Sequence, residues 1–173
     1  MSVREAGQAD AAELAGLMRA FYAEAGLRLD EDRAAAGFRE LLADSRLGRV
    51  WLVEREGEAA AGEVTAASPD EPAPVPTADG YVVVTFVFAM EYGGTVAVVD
   101  DFFVRPEARG EGLGKAALAA VRRACDDLGV RALRVEVGDD DQAALAVYRS
   151  AGFKPLGGRA LMALRLAPPL HEQ

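Results

Sequence analysis

The chain has 173 residues, 51% of them apolar and 27% charged, with a net charge of −9. That length suits one domain with one real core, and the composition is that of a globular chain rather than a disordered one. An excess of 28 acids over 19 Lys and Arg argues against a nucleic-acid partner, which needs a basic patch to neutralise phosphates, and is compatible with a cationic one.

A single cysteine, Cys125, excludes an internal disulfide framework and suits a reducing compartment. The opening residues MSVREAGQAD lack the apolar run of a secretory signal, and the longest apolar stretch, Tyr81 to Met90, is too short to span a bilayer. The expectation is a cytoplasmic protein that engages no membrane.

In chain order, SVREA suits a short first strand. From Asp10 the apolar residues Leu14, Leu17, Met18, Phe21 and Tyr22 recur at helical spacing. Asp10 reads as the N-cap, Glu13 as the partner in a capping box, and Gly26 as the stop. A second helix is predicted over EDRAAAGFRELLAD, and a strand over RVWLVER. The chain then turns irregular from about 56 to 80, rich in proline near its end. It reads as an insertion in a β-hairpin rather than a linker between domains, with some strand character in AAAGEVTAA.

Tyr81–Met90 and Thr95–Val104 are predicted strands joined by EYGG. A helix from Gly112 to Leu128 sets Leu113, Ala117, Val121, Ala124, Cys125 and Leu128 on one face, which makes Cys125 a core residue. GVRALRVEV follows as a strand, DDQAALAVYRSAG as a short helix ending at Gly152, and FKPLGGRALMALRL as one or two final strands. Hairpins first and a strand–helix–strand unit later describe one mixed α/β (α+β) domain over residues 1–173.

The stretch VVDDFFVRPEARGEGLGKAAL, from Val98 to Leu118, carries the chemistry. A Walker A loop would require Gly at 109 and a hydroxyl at 116, where the chain has Arg109 and Ala116. A dinucleotide fingerprint matches Gly112, Gly114 and Ala117 in spacing, but RPEAR separates the glycines from the strand, and too little chain follows for a doubly wound sheet. What remains is an anion nest at a helix start. Backbone N–H groups from Arg109 to Gly114 would line one concavity, the helix dipole adds positive potential, and Arg105, Arg109 and Lys115 make the patch basic.

With Val104-Arg105-Pro106 followed by Arg109-Gly110-Glu111-Gly112-Leu113-Gly114, and later Tyr148 before Ala151-Gly152-Phe153, the chain resembles the GNAT N-acetyltransferases. That resemblance implies a mostly antiparallel central sheet flanked by helices and splayed at an acetyl-CoA site. DDFFV, at Asp100 to Val104, is further similar to the diamine branch of that superfamily, which holds the spermidine/spermine and thialysine acetyltransferases and which usually forms homodimers by exchanging C-terminal strands. The resemblance implies acetyl-CoA as co-substrate, no metal, and a small primary amine as acceptor. Protein or aminoglycoside acetylation, or a CoA-binding module without catalysis, are the alternatives.

Acetyl transfer to an alkyl amine of pKa about 10.4 needs a proton acceptor, and a departing thiolate needs a donor. The resemblance gives Asp100 the accepting role and Tyr148 the donating one, with Asp101 holding the amine. Adjacent strand residues point to opposite faces, so both carboxylates can serve one pocket only if the strand bulges there. Backbone groups of Phe102, Phe103 and Val104 would meet the pantetheine arm, and Arg109, Gly110, Glu111, Gly112, Leu113, Gly114 and Lys115 the pyrophosphate. Asp141 stands where the family usually has Asn, and an ionised carboxylate accepts hydrogen bonds but cannot donate them. Glu24, Glu91 and Tyr92 are candidates for the acceptor side. His171, the only histidine, is given no role.

Overall fold

The computed structural model describes residues 1–55, 78–158 and 161–172. Five strands form one sheet: β1 (Ser2–Glu5), β3 (Gly48–Glu54), β4 (Gly80–Ala89), β5 (Gly94–Val104) and β6 (Ala132–Val135), in the order β1-β3-β4-β5-β6. Every neighbouring pair is antiparallel except β5 and β6. A parallel pair needs a crossover, and α3 (Leu113–Asp127) supplies it. The predicted mixed, mostly antiparallel sheet is therefore observed.

Both faces of the central strands are covered, which is why they read as continuous apolar runs rather than alternating ones. On one face Val50, Leu52, Tyr81, Val83 and Phe103 pack against α1 (Ala11–Glu24) and α2 (Glu31–Ala43) through Leu14, Leu17, Met18, Ala34 and Phe38. On the other, Trp51, Val53, Val82, Val84, Ala97 and Val99 pack against Leu113, Ala117, Val121 and Cys125 of α3. Cys125 is a core residue as predicted, whereas Leu128 ends α3 and is 46% exposed.

Three local readings change. Asp10 does not cap α1: its carboxylate accepts the Gly7 N–H at 2.7 Å and two bonds from Arg4, closing a 3-10 turn over Gln8–Asp10 that precedes the helix. Glu13 accepts the Ala78 N–H instead, at 2.7 Å. Residues 153–158 and 161–170 hold no strand. The chain instead ends in a two-residue strand, β7 (His171–Glu172), antiparallel to β2 (Arg28–Leu29) outside the main sheet. Backbone pairing of two residues on each side has no sequence signature.

The strand character of AAAGEVTAA lies outside the described residues. The ends of that insertion are clasped. Asp79, 3% exposed, accepts the Arg55 backbone N–H at 2.8 Å and pairs with its guanidinium at 2.7 Å. Gly80 must be glycine, since a Cβ there would run into the Phe103 carbonyl oxygen across the ladder.

Candidate active site

The site is built on the second half of β5. Val96 to Val99 pair with β4 on one side and with Ala132 to Val135 of β6 on the other. The β6 pairing stops at Val99, so among the described residues Asp100 to Val104 meet no strand on that side.

The same point carries the bulge that the paired carboxylates require. Val84 lies opposite Val99 and Val83 opposite Asp101, which leaves Asp100 as the extra residue. The bulge shifts the side-chain phase. Ala97 and Val99 face α3, while Asp101 falls in step with Phe103 on the α1 face. Without the extra residue in the count, Asp101 would share the face of Val99.

The two carboxylates therefore differ. Asp100 is exposed. Asp101 is half-buried, and its Oδ2 accepts the Tyr81 hydroxyl at 3.1 Å. Burial pushes the Asp101 carboxyl up to about 6, with the Tyr81 hydrogen bond opposing and the Asp100 charge adding to the rise. Tyr81 is fully buried, and Phe38 and Phe103 stand around it with ring centroids 6.1 and 6.3 Å away. Tyr22, near the end of α1, has its hydroxyl pKa raised by burial and then by the charges of Asp101 and Asp100. Its neighbour Phe21 lies on Phe103 at 5.5 Å.

Tyr148 arrives from the other face. It sits on α4 (Gln142–Ser150), and its ring meets Phe102 edge-on at 6.1 Å and Phe153 at 5.4 Å. Burial, then the charges of Asp141 and Asp101, push its hydroxyl up to about 12. The open edge of β5 thus lies between a carboxylate on one face and a tyrosine on the other. Asp141 is the N-cap of α4, its carboxylate accepting the Ala144 N–H at 2.9 Å. Asp and Asn serve equally well as helix caps, which is a physical reason for a carboxylate at this position.

The expected glycine turn leads into the start of α3. Gly110 and Gly112 adopt φ of +84° and +83°, a conformation that favours glycine. Gly112 offers no side-chain cap, and the backbone N–H groups of residues 110–115 bond to no protein group among the described residues. Six consecutive free donors at a helix N-terminus fit a pyrophosphate. Gly114 allows the helix to sit close to β5, because a Cβ there would lie 3.2 Å from Cζ of Phe102.

The basic side chains do not aim as the sequence suggested. The Arg109 guanidinium makes a two-pronged pair with Glu24, at 2.8 and 2.7 Å, and its Nε donates to the Val104 carbonyl at 2.8 Å. Arg105 donates to the Ala78 carbonyl at 3.2 Å and lies 3.6 Å from Glu107. Carboxylates lie beside both arginines, and Lys115 is exposed. Tyr92 lies at the far end of β4 and β5, stacked on the Arg134 guanidinium at 5.0 Å, with Glu91 paired to the same arginine. Seven residues of strand separate Gly94 from Asp101, roughly 20 Å, so the structure does not bring Tyr92 to the carboxylates.

Sequence reasoning missed Tyr81 and Tyr22. Tyr81 lies in an apolar run, and its place opposite Phe103, two residues past Asp101 on the same face, shows only in the strand register. Among the described residues no group of acids, His and Cys is arranged to hold a metal, and no helix is long and apolar enough to cross a membrane.

Residues 13–153 match the model of the acetyltransferase (GNAT) family. An integron cassette protein from the mobile metagenome of Cole Harbour Salt Marsh is 45% identical, with a TM-score of 0.76 over 97% of this chain and 92% of that one. A possible acetyltransferase from Clostridium difficile 630 is 18% identical, with a TM-score of 0.73 over 96% and 98% of the two chains. An aminoglycoside N-acetyltransferase in complex with CoA is 16% identical, with a TM-score of 0.67 over 96% and 100%. The last two share the fold. The chain belongs to the GNAT family of acetyl-CoA-dependent N-acetyltransferases.

Proposed function

We propose that this single-domain enzyme acetylates a primary amine of a small cationic molecule by direct attack on the thioester, in the manner of the diamine branch it resembles. The observation that carries this reading is the open half of β5, with Asp100 and Asp101 at its start and the anion nest at its end. Neither carboxylate has an Arg or Lys partner among the described residues, which suits a cationic acceptor.

Acetyl-CoA supplies the reactive thioester. The free N–H groups of residues 110–115 would hold its pyrophosphate, and the unpaired edge at Phe102 its pantetheine arm. The Val104 carbonyl is already taken by Arg109, so its role is to fix the loop. The carboxylate pair attracts the ammonium and removes a proton, freeing the nitrogen lone pair. Tyr148 then gives its hydroxyl proton to the departing sulfur. Its raised pKa keeps it protonated at neutral pH.

A homodimer also fits. Leu161, Met162, Leu164 and Leu166 are 74–92% exposed in the monomer. Within one short segment that is more apolar surface than a lone soluble chain usually leaves uncovered. A second copy that pairs with this segment would cover it.

The deciding experiment is CoA thiol release from acetyl-CoA across polyamines, lysine analogues, amino acids, an aminoglycoside and short peptides. Turnover with small amines and none with peptides is the expected pattern. A rate only with peptides would overturn the small-molecule reading. Tight CoA binding without turnover on any acceptor would leave a binding module.

A further inference from the structure

Resting on the amine-acetylating reading above, we propose that Asp101 rather than Asp100 takes the acceptor's proton, and that Tyr81 is the positioning residue that holds Asp101 for the task. Three geometric facts carry this. The bulge makes Asp100 the extra residue and leaves it exposed, while Asp101 falls in phase with the α1 face. The Tyr81 hydroxyl, on a fully buried ring, reaches Oδ2 of Asp101 at 3.1 Å. That bond fixes one carboxylate oxygen and leaves the other for an incoming N–H.

Among the described residues the groups facing Asp101 are Tyr81 from β4, Tyr22 from α1, Asp100 beside it on β5, and Tyr148 from α4 across the open edge. None is a cation. A half-buried carboxylate with a hydroxyl donor and no counter-ion is poised to bind an ammonium and to become neutral on receiving its proton.

The step balances. One N–H bond of the ammonium breaks and its proton goes to the free oxygen of Asp101. The nitrogen lone pair forms the new C–N bond at the acetyl carbon, and the C–S bond breaks with its electron pair on sulfur. Tyr148 protonates that sulfur, and the phenolate recovers a proton from the nitrogen of the new amide. Asp101 returns its proton to solvent. The two ends are coupled: the Asp101 charge helps hold the Tyr148 proton, so neutralising Asp101 makes Tyr148 a better acid.

The test pairs kcat/KM against pH, for an amine that stays cationic throughout, with 13C NMR titration of the aspartate carboxyls. The Asp101 signal is identified by its loss in Asp101→Asn. Wild type should show an acid limb and an Asp101 titration near pH 6. Tyr81→Phe removes a bond to the charged form and should move both upward. Asp100→Asn removes a repelling charge and should move both downward, with less than a tenfold loss of kcat/KM. Asp101→Asn should lose the limb and about 100-fold or more in kcat/KM. Should Tyr81→Phe fail to fold, the downward shift in Asp100→Asn decides.

An Asp101 that titrates near 4 would overturn the inference, as would a larger loss from Asp100→Asn than from Asp101→Asn. A Tyr81→Phe limb that coincides with wild type would overturn the role of Tyr81. Absence of acceptor-dependent CoA release in wild type would overturn the proposed reaction instead, and the carboxyl titration reads independently of it.

Discussion

The two halves of β5 are one strand put to different uses. From Val96 to Val99 the backbone is bonded on both sides, and Val96, Ala97 and Val99 are at most 3% exposed. From Asp100 to Val104 the backbone pairs with no strand but β4 among the described residues, and two carboxylates stand in the run. A strand with both edges satisfied has only side chains left to offer, and these make core. A strand with one open edge offers main-chain donors and acceptors, and tolerates charge because solvent or a ligand can reach it. Stability is concentrated in the first half and the proposed chemistry in the second, and the divide falls at the bulge.

The largest effect should come from breaking the one ladder the second half retains. Gly80 lies opposite Val104, and a Cβ there collides with the Phe103 carbonyl. Gly80→Ala should cost about 3 kcal/mol or more, read from the midpoint of chemical denaturation, because the obstacle is backbone and cannot rotate away. A wild-type midpoint would mean that the second half can leave β4 without loss, and the contrast between the halves would fail.

Tyr148→Phe should come next. It removes a hydroxyl while keeping the ring packed on Phe102 and Phe153. Turnover should fall by about 100-fold, which is about 2.7 kcal/mol, with acetyl-CoA affinity by calorimetry within about twofold of wild type. Equal turnover would remove Tyr148 from the mechanism.

Asp101→Asn sharpens the contrast in the opposite sense. The native carboxyl titrates near 6 against an ordinary 3.8, chiefly because burial disfavours its charge. Between those values the native chain holds a proton that the unfolded chain has released. Stability therefore falls as pH rises through that window, and the full cost is present above about pH 6. Asn removes the cost and can still accept from Tyr81. The variant should be more stable than wild type by about 1–3 kcal/mol at pH 7, with the gain fading between pH 6 and pH 4. A gain that persists at pH 4 would point to packing rather than charge.

Much of this was legible in the sequence, and unevenly so. The central strands announce themselves as apolar runs, the helices through apolar period, and the glycine turn through Gly110, Gly112 and Gly114. The sequence supplied the condition for two adjacent carboxylates to act together, a bulge, but bulges leave no composition signal; the register against Val83 and Val84 reveals it. Side-chain targets were least legible. Arg109 and Glu24 stand 85 residues apart and meet at 2.7 Å, and a basic residue beside a glycine loop does not say which anion it faces. Asp10 made the same point locally, since Arg4 and Gly7 claim the carboxylate that a helix cap would use. Tyr92 shows the cost of reasoning by nearness in the hairpin, since Arg134 holds it at the other end of the strand.

The smallest effect should come from the Glu24–Arg109 pair, which links the end of α1 to the loop after β5. Both side chains are nearly half exposed, so the pair should contribute less than about 1 kcal/mol to stability. Its influence on ligand binding has a definite sign. Glu24 neutralises the guanidinium nearest the nest and lowers the local positive potential. Glu24→Gln should leave the denaturation midpoint nearly unchanged while tightening acetyl-CoA binding about two- to fivefold at low salt, and the gain should shrink as salt screens the released charge. Weaker binding in Glu24→Gln would mean that the pair acts by holding Arg109 on the Val104 carbonyl. The loop would then owe its shape to α1 as well as to its own glycines.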